Sequence, residues 1–143
     1  MIKIKKVTIP GTNLETSNVG YGTSRIHHIF GETKRKKILC FALENGIAHF
    51  DTSPMYGDGV AERSLGNAFR YVDRESFTIA TKVGVLADPI LAKLPKTRFF
   101  IKILNRLFLK LKMRSIVNNN RPYSIPKLKG SLNSSLERLT TSF

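Results

Sequence analysis

Three side chains in this sequence could carry out one piece of chemistry together. Asp51 ends the short apolar run Ile47–Asp51, Lys82 ends the run Phe77–Lys82 (FTIATK), and Tyr56 lies in the loop after Asp51. A phenol with a pKa of roughly 10 is a weak acid at neutral pH. An ammonium beside it stabilises the phenolate and makes the phenol a better proton donor, and a carboxylate paired with the amine holds that ammonium in place. Such a cluster could protonate a carbonyl oxygen as it is reduced. Taken singly, an aspartate after a strand is usually a cap or turn residue, and a lysine is usually solvated. What raises them above that level is their expected placement at one edge of one sheet.

That placement depends on the elements. Residues 3–9 alternate basic and apolar, and Pro10-Gly11-Thr12-Asn13 is a turn signal, so an N-terminal β-hairpin is expected. Asn18–Tyr21 leads into Gly22-Thr23-Ser24 as a strand ending in small residues. Thr33 is the expected N-cap of a helix over Lys34–Asn45, with Ile38, Leu39, Ala42 and Leu43 buried and Gly46 as its stop. A Pro/Gly loop over Ser53–Gly59 precedes a helix over Val60–Phe69. A last helix should start at Ser124 with Pro126 in its first turn and run through Leu128, Leu132, Leu136 and Leu139. Alternating strands and helices predict an α/β fold with a parallel sheet. In such sheets and barrels, chemistry sits at the C-terminal strand ends, where Asp51 and Lys82 fall.

The segment HFDTSPMYGDGVAERSLGNAF resembles the aldo-keto reductase signature around its aspartate and tyrosine, and TIATKVG resembles that family's lysine strand. Gly20-Tyr21-Gly22-Thr23-Ser24 is similar to the first barrel strand, and SLNSSLERLTTSF to the helix before the fourth. The likeness implies one domain over residues 1–143, a partial (β/α)₈ TIM-type barrel of about three parallel strands with their helices, its bottom plugged by the hairpin. It also implies NADPH-dependent reduction of small aldehydes or ketones, with Tyr56 as proton donor and Asp51 and Lys82 as its activators. Gly22, Thr23, Ser24 and Asp51 match positions that line the nicotinamide and its ribose, and no metal is implied. The family's fourth catalytic group is a histidine ending the fourth strand, which would begin near Phe143. His27, His28 and His49 do not match it, and the main loops for the rest of the cofactor come from the last third of the barrel. Three strands cannot close a barrel, so the 143 residues alone are expected to be inactive and poorly stable unless they associate.

The totals set bounds on these expectations. A chain of 143 residues, 41% hydrophobic and 24% charged, can bury a core. The single cysteine, Cys40, excludes an intrachain disulfide and reads as a buried, inert thiol. With no apolar run long enough for a leader or a membrane span, a cytoplasmic location is expected. The formal charge of +14 is concentrated: Pro89–Gly130 holds eleven basic residues and no acidic one. Within a basic helical insertion at about 89–121, residues 97–114 place Phe100, Ile103, Leu104, Leu107, Phe108 and Leu111 on one side, with Lys102, Arg106 and Lys110 opposite. The plainest reading is a helix packed on the barrel rim with a solvated basic face. An anionic membrane surface or another polyanion are the others, although no nucleic-acid module is visible. A non-catalytic basic interaction protein derived from a reductase is the alternative function.

Overall fold

The computed structural model describes residues 3–84 and 124–141. The basic helix expected at 97–114 and the surrounding insertion at 89–121 lie outside the described residues. Strands β1 (Lys6–Thr8) and β2 (Glu15–Ser17) form the expected antiparallel hairpin, with Val7 opposite Thr16. Its turn is closed by Ile9 N–H to Leu14 O at 2.9 Å, and Gly11 takes a φ of +78° that a side chain would oppose.

Strands β3 (Gly20–Gly22), β4 (His49–Asp51) and β5 (Thr78–Ala80) form a parallel sheet in the order β3-β4-β5, with Gly22, Asp51 and Ala80 in one row. All three strands are shorter than the apolar runs suggest. The hairpin closes their N-terminal ends, as expected. Thr16 and Thr78 hydroxyls meet at 2.7 Å, and Ser17 Oγ accepts from the amides of Ala48 (2.8 Å) and His49 (3.2 Å). His49 belongs to this closed end, its Nδ1 lying 2.8 Å from Thr78 Oγ1.

Side chains alternate across β4, so Phe50 faces away from His49 and Asp51 and into the helices. It is fully buried and meets Phe69 edge-on at 4.8 Å, and Phe69 in turn lies 4.7 Å from Phe77. Helices α1 (Glu32–Glu44), α2 (Val60–Phe69) and α3 (Ile125–Leu139) cover this layer, α1 packing on α2 and α2 on α3. The bounds of α2 are those expected from its sequence. Among the described residues, no helix is long and apolar enough to cross a membrane.

Two helix details do not follow from local sequence. Helix α1 begins at Glu32 rather than after Thr33, with Gly31 at its N-cap and no capping side chain. Tertiary contacts replace the local cap. The Glu32 carboxylate accepts from Arg35 (2.6 Å), Ser64 (3.2 Å) and Asn67 (3.2 Å), fastening the start of α1 to α2. Cys40, between the same helices, is half-buried rather than buried. In α3 the buried face is Ser131, Ser135 and Leu139, while Leu132 is 47% exposed.

Helix α3 comes close to α2 at Gly66. A Cβ at that position would stand 2.5 Å from Arg138 O and 2.8 Å from the Leu139 carbonyl carbon. Without a side chain at Gly66 the two helices can come this near, and Leu139 is buried at the same contact. Gly66→Ala therefore sets two effects against each other. Helix propensity favours alanine by about 1 kcal/mol. Overpacking costs about 1–3 kcal/mol, and the upper end applies because the obstacle is backbone. The expected result is a net loss of about 1–2 kcal/mol in urea unfolding, and a variant at least as stable as the parent would contradict this packing.

Candidate active site

Asp51 is the last residue of β4, and Lys82 follows the end of β5 by two residues, so both leave the sheet at its C-terminal edge. Tyr56 reaches the same edge through the loop between β4 and α2. Its amide donates to Ser53 O at 3.0 Å, and its carbonyl accepts from Ala61 N–H at 3.1 Å in the first turn of α2. Between these anchors, Gly57, Asp58 and Gly59 all take positive φ (69°, 53° and 83°). This left-handed run turns the chain into the helix, and two of its three residues are glycines because a Cβ disfavours that conformation.

The three expected residues meet through one ammonium. Lys82 Nζ donates to Asp51 Oδ1 and Oδ2 at 2.8 and 3.0 Å, to Thr52 O at 3.0 Å, and to Tyr56 Oη at 3.2 Å. A protonated lysine has three N–H donors, and these partners engage all of them. The phenol oxygen accepts from lysine, so its own hydrogen is free for another acceptor. Burial works against the Lys82 charge, but its hydrogen bonds to Asp51 and Tyr56 and the charge of Asp51 outweigh it and raise the amine's pKa above its ordinary value. The site is open: the Lys82 and Asp51 side chains are 45% and 44% exposed.

The residues expected to line a nicotinamide lie on the neighbouring strand end. Gly22 and Ser24 are exposed, and a Cβ on Gly22 would meet nothing within 4 Å. Thr23 is different. It is fully buried, and both its amide and its hydroxyl donate to Asp51 O at 2.9 Å, so its side chain fastens β3 to the residue beside the lysine. Next to Asp51, the buried hydroxyls of Thr52 and Ser53 have no hydrogen-bond partner among the described residues.

Sequence reasoning passed over Glu62. Its carboxylate is fully buried in the first turn of α2, where it accepts from Thr81 Oγ1 at 2.7 Å and from Arg138 Nε at 2.6 Å. The signal was present. Glu62, Leu65 and Phe69 fall at i, i+3 and i+7, which puts an acidic residue on the apolar face of the helix.

Comparison with known proteins agrees with this architecture. The model of the Aldo/keto reductase family matches residues 18–142. L-galactose dehydrogenase of Arabidopsis thaliana is 35% identical over 89 residues, covering 59% of this chain and 28% of the relative. Aldo-keto reductase yakc (NADP(+)) of Schizosaccharomyces pombe is 30% identical over 91 residues, covering 61% of this chain and 25% of the relative. The chain thus spans about a quarter of the length of these relatives. Among solved structures, an aldo-keto reductase from Bacillus halodurans in its holo form superposes with a TM-score of 0.66 at 24% identity, covering 99% of this chain and 38% of that one. The fold is that of one part of a reductase barrel, and the chain belongs to the aldo/keto reductase family.

Proposed function

We propose that Asp51, Lys82 and Tyr56 are the proton-donating group of an NADPH-dependent reduction of aldehydes or ketones to alcohols. The observation that carries this reading is the Lys82 ammonium, held by Asp51 and donating at 3.2 Å to the Tyr56 oxygen. As the phenol hydrogen passes to a carbonyl oxygen, negative charge is left on Oη, and the adjacent ammonium stabilises it. Asp51 keeps the amine protonated and aimed, and the carbonyl of Thr52 fixes the third N–H.

A nicotinamide suits this edge. The open space beside Gly22 admits a flat ring. Gly22, Thr23, Ser24 and Asp51 would hold it, Thr23 by placing the strand ends rather than by its own hydroxyl. When bound, the nicotinamide supplies the hydride to the carbonyl carbon. The NADP(+) in the name of the S. pombe relative supports the choice of cofactor.

The experiment is a graft. Residues 18–84 replace the matching segment of the S. pombe reductase, and NADPH consumption is followed with a generic aldehyde. An active graft is expected, whereas a folded graft that consumes no NADPH would count against the reading. The 143 residues by themselves are expected to be inactive, because none of His27, His28 and His49 matches the family's fourth group. NADPH oxidation by the purified chain would overturn that part. Binding of an anionic surface through residues 97–114 rests on sequence pattern alone.

A further inference from the structure

We infer that Glu62 is a positioning residue for Lys82, acting through the hydroxyl of Thr81. This rests on the reading of Asp51, Lys82 and Tyr56 as the reacting group, and it concerns what sets the distance between the amine and the phenol.

The β5 ladder ends before the lysine. Its strand stops at Ala80, whose carbonyl accepts from Thr52 N–H at 2.8 Å. Past that point the sheet no longer dictates the path, and the next side chain, half-buried Thr81, donates to Glu62 Oε1 at 2.7 Å. The following residue is Lys82. Glu62 belongs to the same helical turn that fixes Tyr56, because Ala61 N–H donates to the Tyr56 carbonyl at 3.1 Å. Both limbs of the Lys82–Tyr56 contact are therefore rooted in one rigid body, the first turn of α2. The lysine limb runs through Glu62 and Thr81, and the tyrosine limb through Ala61.

The carboxylate is equipped for this task. An isolated charge at a fully buried site would be costly, but Glu62 Oε2 accepts from Arg138 Nε at 2.6 Å, and Arg138 is steadied by its own bond to Ser135 Oγ at 3.2 Å. Arg63 also faces the group. Burial first, and the Arg138 charge second, lower its pKa, while Glu32 and Glu62 oppose the shift. With its charge matched by arginine, Glu62 offers Thr81 an ionised acceptor, which makes a shorter and stronger bond than a neutral one. Each carboxylate oxygen has its own partner, so helix packing through Arg138 and lysine placement through Thr81 are separable.

That separation gives the test. Acylation of Lys82 in the 143-residue chain is followed across pH by peptide mass spectrometry, in the parent and in Thr81→Val, Thr81→Ser and Asp51→Asn. Loss of the Thr81 hydroxyl lets the amine drift from Asp51 and Tyr56, so its titration moves down toward the ordinary lysine value. About threefold faster labelling at a fixed mildly alkaline pH is expected. Thr81→Ser keeps the hydroxyl and should label like the parent, and Asp51→Asn should label faster. If Thr81→Val loses its helical circular dichroism signal, Thr81→Ala is read in the same way. Parent-like labelling in the folded hydroxyl-free variant, with Asp51→Asn fast, overturns the positioning role and leaves the proposed function standing. If Asp51→Asn also labels like the parent, the amine–carboxylate pairing fails, and both readings fall with it.

Discussion

Tyr56→Phe in the active graft is expected to lower kcat for aldehyde reduction by about 10²–10⁴-fold, the usual contribution of a positioned general acid. KM should change little. The ring is half-buried and phenylalanine keeps it, while the lost oxygen contacts Lys82 Nζ at 3.2 Å. The amine keeps Asp51 and the Thr52 carbonyl, so the local structure should survive the change. Steady-state kinetics of the purified graft and its variant supply the measurement. A loss below about tenfold would mean that water or another side chain donates the proton, and the role assigned to Tyr56 would be wrong.

The second large effect concerns folding. Arg138→Met should destabilise the chain by about 3–5 kcal/mol, because it leaves the Glu62 carboxylate buried without its counter-charge. Burial decides the size. The Glu62 side chain is 0% exposed and that of Arg138 is 15% exposed, at 2.6 Å. The Lys6–Glu15 pair spans 3.9 Å between side chains 86% and 66% exposed, and screening by water should leave it with no measurable contribution. Replacing both partners, as in Glu62→Gln with Arg138→Met, should recover much of the loss, since no unpaired charge then remains inside. Urea unfolding of the single and double variants checks this. A single-variant loss below about 1 kcal/mol would show that water reaches the carboxylate.

What the sequence made legible was what local signals encode. The turn at Pro10–Asn13, the bounds of α2 and the order of strands and helices each follow from residues close together in the chain. Asp51 and Lys82 could be placed because each ends an apolar run, and parallel strands bring such ends together. What stayed hidden was set at long range. The partner of Glu62 lies 76 residues away, and a charged residue in a first helical turn looks like ordinary dipole matching until that partner is known. The buried face of α3, with Ser131 and Ser135 beside Leu139, is not legible in its leucine spacing, because apolar periodicity carries no information on how near a neighbouring helix will come. Gly66 permits that approach at Arg138 and Leu139, where a side chain would meet backbone. The residue type of Thr33 suggests a cap, whereas cross-helix bonds to Glu32 make a local cap unnecessary.

The full engagement of the Lys82 ammonium bears on chemical safety within the site. Aldehydes condense with free amines to give imines, and a lysine beside a carbonyl pocket would ordinarily invite that side reaction. Here the nitrogen has no lone pair to offer: it is protonated, its basicity is raised, and its hydrogens are committed to carboxylate, carbonyl and phenol. Under the proposed role, the bonds that hold the ammonium against Asp51 and Tyr56 would also keep the amine from condensing with a carbonyl substrate.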